Sequence, residues 1–100
     1  MLWAIHRVYK TGMAETRTAK TAIHREYLLS KKDILLFTGQ LQSDDGEEAM
    51  GAWLVVNVKS RAEAQAFLDN DPFAKAGMLA SATISRMRKG RWNADLWQTL

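Results

Sequence analysis

One hundred residues are the size of one domain, and 47% hydrophobic with 25% charged residues is an ordinary globular composition. The chain has no cysteine, which excludes disulfides and thiolate metal sites, and no apolar run long enough to span a membrane. The net charge is +3 and the pI near 9.5, with Arg86, Arg88, Lys89 and Arg91 crowded into RMRKGRW; that run reads as a solvated strand end.

Residues 2–10, LWAIHRVYK, alternate two sets, Leu2, Ala4, His6, Val8 and Trp3, Ile5, Arg7, Tyr9. Both are largely apolar, which predicts a central strand. From Gly12 to about Lys31 the spacing predicts a helix whose inward stripe is Met13, Thr16, Lys20, Ile23, Tyr27 and Leu28. DILLFTGQLQ (33–42) reads as a second strand, SDDGEE (43–48) as a turn carrying the hairpin signal Asp45-Gly46, and AMGAWLVVNV (49–58) as the antiparallel return. Ser60 with Glu63 forms a capping box for a second helix that buries Ala64, Phe67 and Leu68 and is stopped by Pro72. PFAKA makes a short turn closed by a left-handed Gly77, and MLASATISRMR (78–88) is the fourth strand. Asn93 caps a short amphipathic tail, ADLWQTL, so residues 1–92 form the domain and 93–100 the tail.

This order predicts an α+β fold, the ferredoxin-like βαββαβ unit, with a four-stranded antiparallel sheet and both helices on one face. Strands apolar on both faces call for a cover on the other, and a second copy of the chain supplies one, giving a homodimer with two sheets face to face. MLWAIHRVY lacks the features of a signal peptide, and a cytoplasmic protein is expected, with no membrane partner. The RNA-binding version of this fold needs a basic-Gly-aromatic signature that AMGAWLVVNV lacks, so no nucleic-acid partner is expected.

Five stretches together resemble the YciI-like (YCII-related) family of the dimeric α/β-barrel superfamily. MLWAIH is similar to its opening strand; Arg17 followed by AIHREYL resembles its histidine-bearing helix and sets His24 on the family's histidine. LLFTGQL, with Gly39, and GAWLVVNVKSRAEAQAF resemble its second and third strands and following helix, and DNDPFAKAGM resembles its DPYxxAGL turn, with Asp71 on the family's aspartate. The chain departs from the pattern at Thr21-Ala22-Ile23, which replaces Arg-Pro-Ala, at Gln40 and at Arg86-Met87; Lys20 stands one position before the lost arginine. The resemblance implies a dimeric barrel, a His24–Asp71 pair, and Arg17, Lys20, Tyr27, Gly39, Pro72 and Phe73 as substrate-binding candidates. No cofactor is expected, and although two histidines and an aspartate could bind a metal, no tight ligand spacing supports one, so none is expected. One branch of the family is similar to dehydrochlorinating enzymes.

On pattern alone, His24 on an apolar stripe is a satisfied core histidine, and Asp71 before Pro72 is an N-cap. The resemblance turns both toward chemistry. A histidine exchanges protons near neutrality, and a carboxylate on its second nitrogen fixes its tautomer. A carboxylate has two oxygens, so cap and partner are compatible. If Asp71 is both, Asp71→Asn keeps the cap and leaves stability near normal. Asp69, Asp33, Asp44 and Asp45 read as solvated helix-end, strand-start and turn residues, and His6 as a strand residue able to line a cavity. No nucleophile elbow or phosphate loop is present. The expected function is general acid/base chemistry, isomerisation or elimination, on a small anionic or phenolic metabolite. The alternative is a non-catalytic ligand-binding or assembly module of the same fold.

Overall fold

The computed structural model describes residues 1–100. The chain runs β1 (Leu2–Tyr9), α1 (Ala14–Ser30), β2 (Leu35–Gln42), β3 (Ala49–Asn57), α2 (Arg61–Asp69), α3 (Pro72–Lys75), β4 (Leu79–Met87) and α4 (Ala94–Gln98). The strands form one antiparallel sheet in the order β2-β3-β1-β4, which is the ferredoxin-like arrangement. β1 is central because both of its faces have apolar work to do. Trp3 and Ile5 point to the helix side, across from Val56 and Leu54, and join Val58, Ala64, Phe67 and Leu68 in the core. Each fully buried side chain of this kind stabilises the fold by about 1.5–3 kcal/mol. No helix is long and apolar enough to cross a membrane.

The first helix starts two residues later than its periodicity suggests. Gly12 takes a left-handed φ of 78°, which makes a turn before Ala14, and no side chain caps the helix. Tyr27 and Leu28 of α1 pack on the core, but Ile23 is 45% exposed and no α1 residue is fully buried. The inward stripe therefore runs through His24, because α1 packs against α3 as well as laying Tyr27 and Leu28 on the core. β2 starts at Leu35, not Asp33. Ile34 and Leu35 both donate their N–H groups to the Lys31 carbonyl, so the chain makes one more turn before it extends.

At α2, Ser60 Oγ accepts the Glu63 N–H at 3.2 Å, while the Glu63 carboxylate accepts from Lys59 N–H at 2.8 Å, one residue earlier than in the usual capping box. Asn70 ends α2, Pro72 opens α3, and Gly77 closes it at φ 71°. In β3, Gly51 is paired with Val8, and a Cβ there would overlap the Arg7 carbonyl oxygen. Glycine is what lets β3 approach β1 at this point.

Beyond β4 the chain turns onto the other face of the sheet. Trp92 and Trp97 pack on each other at 5.2 Å and on Phe37 of β2 at 5.8 and 6.3 Å between ring centres. β4 and β2 are opposite edges, so the tail crosses the sheet, and Ala4 and Val55 on that face are buried.

Candidate functional site

Three elements meet at the sheet end where β1 finishes. After Trp3 and Ile5, the next helix-side position of β1 is Arg7, which is 1% exposed. The break between α2 and α3 supplies Asp71, 0% exposed, and α1 supplies His24, whose side chain is 14% exposed. Asp71 Oδ1 accepts the Phe73 N–H at 2.8 Å, as the N-cap of α3, and lies 3.1 Å from His24 Nδ1. Asp71 Oδ2 lies 2.9 Å from Arg7 Nη1. That approach is an ion pair off the line of a hydrogen bond, since neither Nη1, Nε nor Oδ2 has an aligned partner.

Burial alone would push the Asp71 carboxyl up. The hydrogen bond to His24, the charges of Arg7 and His24 and the Phe73 N–H outweigh it and hold the group below its ordinary value. Asp71 is thus a carboxylate near neutral pH, and a carboxylate only accepts. Nδ1 of His24 is therefore the donor, and Nε2 is the nitrogen left for other partners. The Phe73 ring fixes the imidazole plane: the rings stack at 4.0 Å with 11° between planes. Arg7 lies 5.6 Å from the centre of the same ring, and Tyr9 meets it edge-on at 6.0 Å.

His24, Asp71 and Phe73 thus stand together, with Pro72 setting the turn between the last two. The other candidates are placed differently. Tyr27 gives its hydroxyl to the Phe67 carbonyl at 2.7 Å, between α1 and α2; burial, then the negative Asp71, push that phenol up to about 12. Lys20 is half-exposed one turn before His24 on α1. Arg17, a further turn back, lines a cleft of about 280 Å³ with Tyr9, Lys10, Met13, Glu47 and Met50. Gly39 pairs with Trp53 on β3, and His6 meets that tryptophan ring at 5.5 Å, on the sheet face opposite His24. No three His, Asp or Glu side chains converge into a metal-binding cluster.

The residue that sequence reasoning passed over is Arg7. The sequence holds one hint, a single charge in line with Trp3 and Ile5 on a strand read as central, but alternation alone does not mark it as buried.

The fold and these residues define an α+β domain of the dimeric α/β-barrel class. More narrowly, the model of the YCII-related domain matches residues 1–88, and the chain belongs to that family. It is similar to 5-chloro-2-hydroxyhydroquinone dehydrochlorinase (TftG) from Burkholderia phenoliruptrix, whose structure is a complex with 2,5-dihydroxybenzoquinone. The identity is 30% over 90% of this chain and 96% of that one, with a TM-score of 0.81. HapK from Hahella chejuensis shares the fold, at 11% identity over 94% of this chain and 99% of that one and a TM-score of 0.51. No curated protein sequence matches the chain.

Proposed function

We propose that this chain is a small enzyme in which His24, oriented by Asp71, acts as general base and acid on a small hydroxylated or anionic organic molecule. The observation that carries the reading is the 3.1 Å contact between His24 Nδ1 and a fully buried Asp71. With Nδ1 committed, Nε2 takes a proton from an acidic hydroxyl or from a carbon beside a carbonyl, and Asp71 stabilises the imidazolium that forms. The proton is then returned elsewhere for an isomerisation, or a leaving group departs for an elimination. The likeness to TftG, named for dehydrochlorination of a chlorinated hydroxyhydroquinone, supports a phenolic substrate and elimination. Arg17 and Lys20, a turn apart on the same helix, supply cations for an anionic group. The functional unit is a homodimer, as the dimeric barrel class supports.

The partly covered His24, 14% exposed and absent from the lining of the Arg17 cleft, favours a second reading, a module that binds a ligand without turning it over. A panel of chlorinated and unchlorinated hydroquinols and small carboxylates separates the two, read by halide release, absorbance and thermal shift. Turnover that falls by about 10²–10⁴-fold in His24→Gln supports the enzyme. Turnover undiminished in His24→Gln removes His24 from the chemistry, and stabilisation by a ligand with no turnover supports the second reading.

A further inference from the structure

We propose that Arg7 is the positioning residue of the His24–Asp71 pair: it ties down Asp71 Oδ2, leaves Oδ1 for His24, and thereby decides which imidazole nitrogen stays free. The inference rests on the acid/base reading above and deepens it. Its starting point is that Arg7 is badly placed for a purely structural residue. A guanidinium that is 1% exposed has lost its water, yet Nε and Nη1 have no aligned acceptor. A buried ion pair satisfied this poorly adds little stability over apolar side chains of similar volume. The row of Trp3 and Ile5 would be continued as well by a methionine. What a methionine could not do is act on Asp71.

The carboxylate is held from two sides. Oδ1 carries the Phe73 N–H and faces His24 Nδ1, and Oδ2 faces only Arg7. Tyr27 is the other titratable group that feels its charge, and as a neutral phenol it contributes no cation. With Arg7 removed, burial is opposed only by His24 and the Phe73 N–H, so the Asp71 carboxyl moves up, and nothing holds Oδ2. A carboxylate with Oδ2 untied is free to turn Oδ1 away from Nδ1, and an imidazole that loses this acceptor can carry its proton on Nε2, the tautomer that cannot act as a base on that side.

The test is NMR of the whole chain, following the side-chain carboxyl carbon of Asp71 and the ring nitrogens of His24 across pH. In Arg7→Met the Asp71 midpoint should rise by about 1 unit or more, the order by which an adjacent cation shifts a carboxylate. The Nδ1-protonated signal of neutral His24 should weaken. Arg7→Lys, which keeps the charge, should recover much of both, a rescue that lost packing does not predict. An Asp71 midpoint and His24 nitrogen shifts that match wild type in Arg7→Met overturn the proposal, whatever the variant's melting temperature. If Arg7→Met does not fold, the wild-type chain decides. Arg7 guanidinium signals should shift with the Asp71 titration, and signals that ignore it overturn the proposal. None of these readouts depends on turnover. A chain that behaves as expected here but converts no substrate loses the acid/base reading while the Arg7 assignment stands.

Discussion

At Asp71 one side chain has three partners, and that changes what a single substitution does. As a cap and histidine partner alone, Asp71→Asn would be mild, because asparagine caps a helix as well as aspartate. The sequence leads to that expectation, and the Arg7–Asp71 ion pair leads to a different one. Neutralising position 71 leaves a guanidinium that is 1% exposed without its counter-ion. Breaking a buried pair from one side costs about 3–5 kcal/mol, a large share of the roughly 5–15 kcal/mol that holds a small domain folded. Urea unfolding at neutral pH should show this loss, and a cost near 1 kcal/mol would mean that Arg7 finds another partner. The same group sets acid behaviour. A carboxylate held below its ordinary value of 3.8 stabilises the fold above that pH, and the contribution is lost as pH falls through the lowered value. Asp71→Asn should therefore flatten the decline of stability below about pH 4, compared in an Asp45→Asn background because the Glu47 N–H and Ser43 hydroxyl also lower Asp45. At the alkaline end, Tyr27 should ionise near 12 by ultraviolet absorbance. His24 and Asp71 were legible in the sequence because short motifs carried them. Arg7 was not, because a strand alternation that counts one charge as noise cannot tell an exposed end from a buried ion pair.

The same limit recurs at the scale of elements. Where a local signal was chemical, it survived: the Ser60 cap, the Asp45-Gly46 hairpin, Pro72 as helix opener and Gly77 as stop all have their hydrogen bonds or dihedral angles in place. Where it was only periodic, it slipped, as at the start of α1, at the turn before β2 and at Ile23, which faces water. Periodicity gives the angle of a stripe and not which neighbour the stripe meets. Gly51 is the position at which an element depends on one missing atom. Gly51→Ala would force β3 away from β1 beside Arg7, and overpacking of this kind costs about 1–3 kcal/mol. The substitution should lower the melting temperature and shift the amide signals of Arg7 and Val8. A melting temperature equal to wild type would show that the strands part without strain. Ser60→Ala, by contrast, removes only a cap and should cost about 1 kcal/mol.

For the whole molecule, the open question is the sheet face that the helices leave bare. The YCII-related match ends at residue 88, and the chain continues as a tail that crosses this face to reach Phe37. The tail covers the sheet without finishing the job. Trp92, Leu96 and Trp97 are between 46 and 57% exposed, and Trp53 beside them on the sheet is 38% exposed. A second copy laid on this surface would bury those rings, and the charges favour a particular way of laying it. The acidic turn Asp44, Asp45, Glu47 and Glu48 sits at the β2–β3 end of the sheet. Arg88, Lys89 and Arg91 follow β4 at the diagonally opposite corner, where it ends beside the start of β1, while Arg86, across from Trp3, points to the helix side. A two-fold axis along the other diagonal crosses the two sheets at a steep angle and sets each acidic corner over the partner's basic one. Sedimentation at micromolar concentration tests this in two ways. The full chain should have twice the chain mass, and its association should weaken as salt screens the corners. Truncation after Gly90 removes both tail tryptophans and uncovers Phe37, so it should lower the melting temperature and weaken the dimer. A truncated chain with the melting temperature and mass of the full one would show that the tail is neither a cover for its own sheet nor a contact with the partner.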